Sequence, residues 1–228
     1  MTNFLTKTNL PNYCHKQFLL ICTFYLLGFY LTLETHSPIY SIFTLSLLTY
    51  YSYFIHYLFH RLPDIIDLHI KYHHVIHSNN CQKTIHLIIE TLVNIGFFAI
   101  VYGVQRLLQI EMIPTILIVY YGIIYVSIHI INYSLCHTSP KHVIHHATSN
   151  PTDNPATSAT NLEKPTTKNY GPDIMDHLFG TNDDESFEDF NHMIPNILVA
   201  FFVSWYFFTP KKQVGSACLE LVPMCQEP

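Results

Sequence analysis

Charge is what this 228-residue chain has least of: Asp, Glu, Lys and Arg make up 12 % of it, where a soluble domain carries about 25 %. That shortage argues against an ordinary water-exposed surface and points to a chain whose solvent is partly lipid. Lys and Arg form no cluster and the net charge is only −5, so the basic stripe that nucleic acid requires is missing. The six cysteines, at 14, 22, 81, 136, 218 and 225, make no CxxC pair. Neither a zinc ribbon nor a disulfide framework is indicated, and scattered thiols fit working parts that face the cytosol. No GxGxxG fingerprint marks a nucleotide site, and no internal repeat is visible. The length suits one domain.

In place of charge the chain has long apolar runs. A membrane span needs about 20 mainly apolar residues, and four segments qualify: 17–33, 38–59, 87–108 and 112–135. The last two join through a tight turn around Gln109, Glu111 and Pro114 and form a hairpin. A fifth run, Ile194 to Phe208, is short for a span and reads as a re-entrant or interfacial helix, its Phe, Tyr and Trp suited to the headgroup boundary. Lys7 and Lys16 precede the first run, and no small-residue cleavage site follows it, so that run is expected to stay as a span.

The polar segments 60–86 and 136–193 are separated by two spans and therefore share one side. They contain Arg61, Lys71, Lys83, Lys141, Lys164 and Lys168, while the opposite turns near 34–37 and 109–111 have neither Lys nor Arg. The positive-inside rule puts both segments and the N-terminus in the cytosol. Residues 150–169, rich in Pro, Thr, Asn and Ser, read as a loop. The expected architecture is all-α: an integral membrane bundle of about four transmembrane helices under a cytosolic, histidine-rich helical cap.

Histidine is abundant, with 16 against 11 Lys plus Arg. His56 and His60 stand four apart and share a helical face. His69, His73 and His74 follow, with His77 extending the stripe either as a ligand or as a solvated neighbour. His142, His145 and His146 repeat the i, i+3, i+4 spacing after the fourth span. His86 begins the third span. His129 sits inside the fourth, where an ionisable side chain is costly and marks a functional site; Asn132 and Cys136 continue its face as a polar seam. Neutral imidazole ligates iron, zinc, copper or nickel, and pairs at i, i+4 from several helices at one depth suit two ions. His15, His36, His177 and His192 read as isolated interfacial polar residues.

Taken in order, these elements resemble the fatty acid hydroxylase and sterol desaturase superfamily of membrane enzymes. The similar parts are His56 to His60, His69 to His74, the lone His129, His142 to His146, Asn169-Tyr170-Gly171 and the run MDHLFGT from Met175 to Thr181. They cover roughly residues 45–181. The chain departs from the family pattern in its second box, where Ile70 stands at the position of the first ligand and His69 substitutes from one residue away. Met175 replaces a Trp, and 22 residues separate His146 from Asn169. His86 is similar to a later family histidine, with Leu87 in place of Pro and Glu90 displaced by one. Ser139-Pro140 matches a Thr-Pro before the last box, which favours His129 over His137.

The resemblance implies two iron ions, or zinc as isolated, held by His56, His60, His69, His73, His74, His129, His142, His145 and His146, with His86 and His77 as further candidates. It also implies dioxygen as co-substrate and a lipid substrate (fatty acyl, sphingolipid or sterol) that is hydroxylated or desaturated. No fused haem segment is present, so cytochrome b5 and its reductase are the expected donors, and the endoplasmic reticulum the expected membrane. Residues 1–44 then form a tail and first span, 45–181 the catalytic unit, and 182–228 an acidic segment, a short apolar helix and a tail. Asn169, Asp173 and Asp176 are candidates for orienting the ligands; Asp173 and Asp176 equally suit capping of a short helix. The acidic run 183–190 reads as solvated surface, or as a docking patch for a basic redox partner. Two other classes remain: a non-catalytic relative with a structural metal, and a divalent-metal transporter, which would place its ligands at the bilayer midplane.

Overall fold

The computed structural model describes residues 9–61, 80–147, 169–182 and 186–209, and these are helical, with no strand among them. The helices in chain order are α1 (Asn9–Lys16), α2 (Phe18–Thr32), α3 (Pro38–Phe59), α4 (Asn80–Leu108), α5 (Thr115–Ser127), α6 (Pro140–Ala147), α7 (Asp173–Phe179) and α8 (Ile194–Phe208). A π-helical segment, Ile128–Leu135, continues α5, and a 3-10 turn, Asn191–Met193, leads into α8.

Local chemistry sets the ends. Ser37 accepts from the Tyr40 N–H at 3.3 Å and Pro38 opens the first turn of α3, the hydroxyl cap and N1 proline that begin helices well. Gln105 closes the α4–α5 turn, donating to the Ile113 carbonyl at 3.0 Å and accepting from its N–H at 2.6 Å. Gly180, at φ 70°, ends α7 in the left-handed conformation that glycine adopts without a Cβ penalty.

Helix α5 is the hub. It packs on α8, α4, α2 and α3, and α2 packs in turn on α3 and α8. Leu45, Leu48, Leu117, Tyr120 and Ala200 are fully buried at these crossings. Gly28 lets α2 approach so closely that a Cβ there would meet Leu45 Cδ1 at 2.6 Å and Tyr120 Cε1 at 3.2 Å. Hydroxyls bridge the helices inside this core: Ser52 to the Tyr121 hydroxyl at 2.8 Å, and Tyr120 to the Phe24 carbonyl at 3.1 Å. The outward faces are apolar instead, with Phe18, Leu19, Ile88, Leu92, Leu107 and Phe202 each more than half exposed. Such an apolar exterior suits a lipid solvent.

Among the described residues two helices are long and apolar enough to cross a membrane, Lys83–Leu108 and Thr115–Leu135, or up to three if the bent pair Leu10–Lys16 and Phe18–Thr32, angled at 75°, counts as one. Of the four expected spans, two or three meet that measure of length and apolarity among the described residues. Helix α3 runs over the expected 38–59, but its Tyr, Ser and Thr dilute its apolarity. Helices α2 and α8 have 15 residues each, which at 1.5 Å per residue is about 22 Å against a hydrocarbon core of about 30 Å. Helix α8 is nevertheless not peripheral: Ile197, Ala200 and Ser204 are buried in the bundle.

Candidate metal centre

Five of the expected ligands meet at one end of the bundle. His56 and His60 come from the last turn of α3 and its C-cap, His129 from the π segment, and His142 and His145 from α6. All five are buried, His145 completely. Their rings form a connected group, with centroid separations of 4.7 Å for His60 and His145, 5.4 Å for His56 and His145, 5.8 Å for His56 and His129, and 6.0 Å for His129 and His142.

Within the group, one ligand nitrogen each from His56, His60 and His145 lies within 4.8 Å of the others. His60 Nε2 is 3.2 Å from His56 Nε2 and 3.1 Å from His145 Nε2. A single ring proton bridges one such contact and not both, whereas a cation between the rings satisfies all three lone pairs. The spacing also fits: nitrogens bound at about 2.0–2.1 Å and separated by octahedral to tetrahedral angles stand about 2.9–3.4 Å apart. The donor set therefore suits a transition-metal ion.

The surroundings orient these rings. His129 Nδ1 lies 3.2 Å from the Tyr125 carbonyl; a proton there leaves the lone pair on Nε2, the tautomer that ligation needs. Tyr125 packs on His129 at 4.2 Å, and Tyr133 stacks on His142 at 4.0 Å. Tyr170 covers the other side, 5.2 Å from His60 and 5.7 Å from His145. The π-helix that carries His129 and Tyr133 is of a kind that concentrates at functional sites.

The candidate orienting residues act one layer out. Asp176 accepts from the Tyr170 N–H at 2.9 Å, the Gly171 N–H at 2.6 Å and the Thr181 hydroxyl at 2.7 Å. It holds the turn that presents Tyr170. Asp173 pairs with Lys141 at 3.2 Å and so ties α7 to α6. Asn169, buried at φ 57°, donates its N–H to the Thr181 carbonyl at 2.6 Å. Neither aspartate is hydrogen-bonded to an imidazole of the group among the described contacts.

Burial pushes the Asp176 carboxyl up to about 7 from 3.8, although its bonds from Thr181, Gly171 and Tyr170 pull it down. An acid raised in the folded state contributes stability that is present below its unfolded value and is lost as pH rises through the folded one. The melting temperature is therefore expected to fall between about pH 4 and pH 7. Asp176→Asn should flatten that fall relative to the parent chain, and an unchanged slope would show that another group is responsible.

Other expected residues lie elsewhere. His86, half-buried on α4, makes no ring contact with the group among the described residues, and His137 is exposed. Cys136 is exposed too, so the polar seam ends at the buried Asn132. His69, His73, His74 and His77 fall outside the described residues, as does the side chain of His146.

Two sequence expectations are corrected. His177 is not an interfacial polar residue: it is buried, 3.6 Å from Asp173 and 3.2 Å from the Ser186 carbonyl. Nor is Glu188 part of a solvated acidic surface, since it bonds to the start of α6. The Ser139-Pro140 pair was a readable sign of that helix start; its acidic partner from 47 residues away left no local sign.

Beside the imidazoles an apolar cavity of about 360 Å³ lies between α2, α5 and α8, walled by Phe24, Ile124, Ile128, Met193 and Ile197 and reaching His129 and Tyr170. Its size is that of a small-molecule site. Comparison with protein-family models, with curated proteins and with solved structures finds no match to this chain.

Proposed function

We propose that this chain is a membrane-bound oxidoreductase that uses a histidine-held pair of iron ions and dioxygen to hydroxylate or desaturate a lipid. The observation that carries this reading is the convergence of His56, His60 and His145, with nitrogens 3.1 and 3.2 Å apart, beside an apolar cavity that reaches His129. His56, His60 and His145 would hold one ion. His129 and His142, next to them, would be ligands for the second, and His69, His73, His74 and His146 are the further ligands that the sequence resemblance implies.

Bound iron supplies the redox chemistry that an unactivated C–H bond demands and that no side-chain acid or base provides. The chain supplies the rest. The cavity walls take up the apolar substrate and keep water from the reacting carbon. Tyr125 fixes the His129 tautomer, and Tyr170, held by Asp176, closes the group from the opposite side. Hydroxylation consumes one dioxygen, two electrons and two protons, places one oxygen in the substrate and releases the other as water. The electrons come from an external donor of the cytochrome b5 type. In this reading α3 and the bent α1–α2 pair lie in the bilayer with α4 and α5, and the histidine end faces the cytosol of the endoplasmic reticulum.

The test is lipid analysis of yeast expressing the chain under dioxygen, beside a His145→Ala, His146→Ala double variant. A hydroxylated or desaturated lipid made only by the intact chain is expected. Identical lipids from membranes holding folded, metal-loaded protein would contradict the reading. They would favour the second one, a single structural zinc, to which the grouping of three donor nitrogens within 4.8 Å of one another also speaks.

A further inference from the structure

Helix α6 carries two of the five clustered histidines, yet it is only eight residues long, too short to hold itself together in isolation. What fastens it is Glu188. One carboxylate oxygen accepts from the Lys141 N–H at 2.7 Å and the other from the Ser139 hydroxyl at 2.6 Å. Ser139 Oγ in turn accepts from the His142 N–H at 3.1 Å, and Pro140 brings no N–H. The first-turn donors that a helix leaves without intrahelical partners are thus absent or bonded, and a carboxylate faces the positive end of the helix dipole. Lys141 adds a second tie, reaching Asp173 at 3.2 Å and the Ser186 carbonyl at 2.5 Å.

The segment that presents Glu188 is itself anchored. Gln17, fully buried at the break between α1 and α2, donates to the Glu188 carbonyl and accepts from the Phe190 N–H at 3.2 Å. Lys16 donates to the Phe187 carbonyl. Residues 187–190 therefore bridge the α1–α2 break and the start of the histidine helix.

We infer that Glu188 is a positioning residue of the metal centre: anchored through Gln17, it closes the N-terminus of α6 and sets where His142 and His145 present their rings. It touches neither metal nor substrate. The role rests on reading the imidazoles as ligands, so the test separates the two claims. The full chain in detergent, with Glu188→Ala and Glu188→Gln beside it, is titrated with Co(II) alone. In parallel, hydrogen exchange is followed in the metal-free proteins over 140–147 and over 194–208.

In Glu188→Ala, Co(II) binding should weaken at least about 10-fold, the usual scale for losing an orienting partner. Exchange should quicken over 140–147 and hold over 194–208. Glu188→Gln, whose amide oxygen still accepts from the Lys141 N–H, should recover most of both. Unchanged Co(II) affinity in Glu188→Ala overturns the inference whether or not the segment loosens. Equal quickening over 194–208 also overturns it, since that is general loosening. If the parent chain takes up no Co(II), the ligand reading and the positioning role fall together, and quickened exchange over 140–147 then shows that the clamp on α6 stands without them.

Discussion

His60→Ala is expected to weaken metal binding about 100-fold or more and to abolish lipid oxidation, while the helical content of the chain is kept. His60 is the vertex of the trio: its Nε2 lies 3.2 Å from His56 Nε2 and 3.1 Å from His145 Nε2. Removing it leaves His56 and His145 without the ring that joins them. The side chain is buried at 3 % exposure, and its loss opens a cavity at a cost of about 2–4 kcal/mol by analogy with other large-to-small changes. A thermal melt must therefore accompany the Co(II) titration. Folded protein with parent-like affinity would remove the trio from the metal site. His137→Ala, at an exposed position, is the matched control and should bind as the parent does.

The second large effect concerns the substrate rather than the metal. Leu20, half-buried on α2, lines the cavity. Leu20→Trp adds bulk to that wall, and overpacking costs typically about 1–3 kcal/mol, which the bundle should tolerate. Oxidised lipid should fall about 10-fold or shift to slimmer or shorter substrates, following the loss of pocket contacts worth about 1–3 kcal/mol. Metal content should stay at the parent level. Equal product from the variant would move the substrate out of this cavity. A parallel loss of metal would show that the change reached the imidazoles.

How much of this was legible from residues alone depends on the range of the interaction. The i, i+4 spacing of His56 and His60 is a local property, and Ser37-Pro38 marks the start of α3 as plainly as any cap does. The apolar runs locate α4, α5 and α8. The number of spans was less readable, because the first run forms a helix of only 15 residues, set at 75° to α1, and hydroxyl-rich α3 is long without being strongly apolar. Long-range pairing was not readable at all. Glu188 stands in an acidic run that looks solvated until α6 is placed against it, and His177 looks isolated until the Ser186 carbonyl and the Phe187 ring meet it. Helix α8 shows the same limit: its 15 residues suggest an interfacial element, and only the packing of Ala200 and Ser204 against its neighbours puts it inside the bundle.

The π-helical segment belongs to the same class. Nothing in IHIINYSL announces a wider turn, yet that turn carries both His129, beside the trio, and Tyr133, stacked on His142. Asp176 is another case: its three bonds to Tyr170, Gly171 and Thr181 form within six residues, so a sequence reader sees the partners but not which of them the carboxylate chooses.

The measurement that bears most directly on the central claim is metal analysis joined to X-ray absorption on the purified chain. The account expects two iron ions per chain in a shell of imidazole nitrogens at about 2.0–2.2 Å, with the iron signal lost in His60→Ala. A chain that folds and extracts from membranes with no metal, or with one zinc that His60→Ala leaves in place, would contradict it.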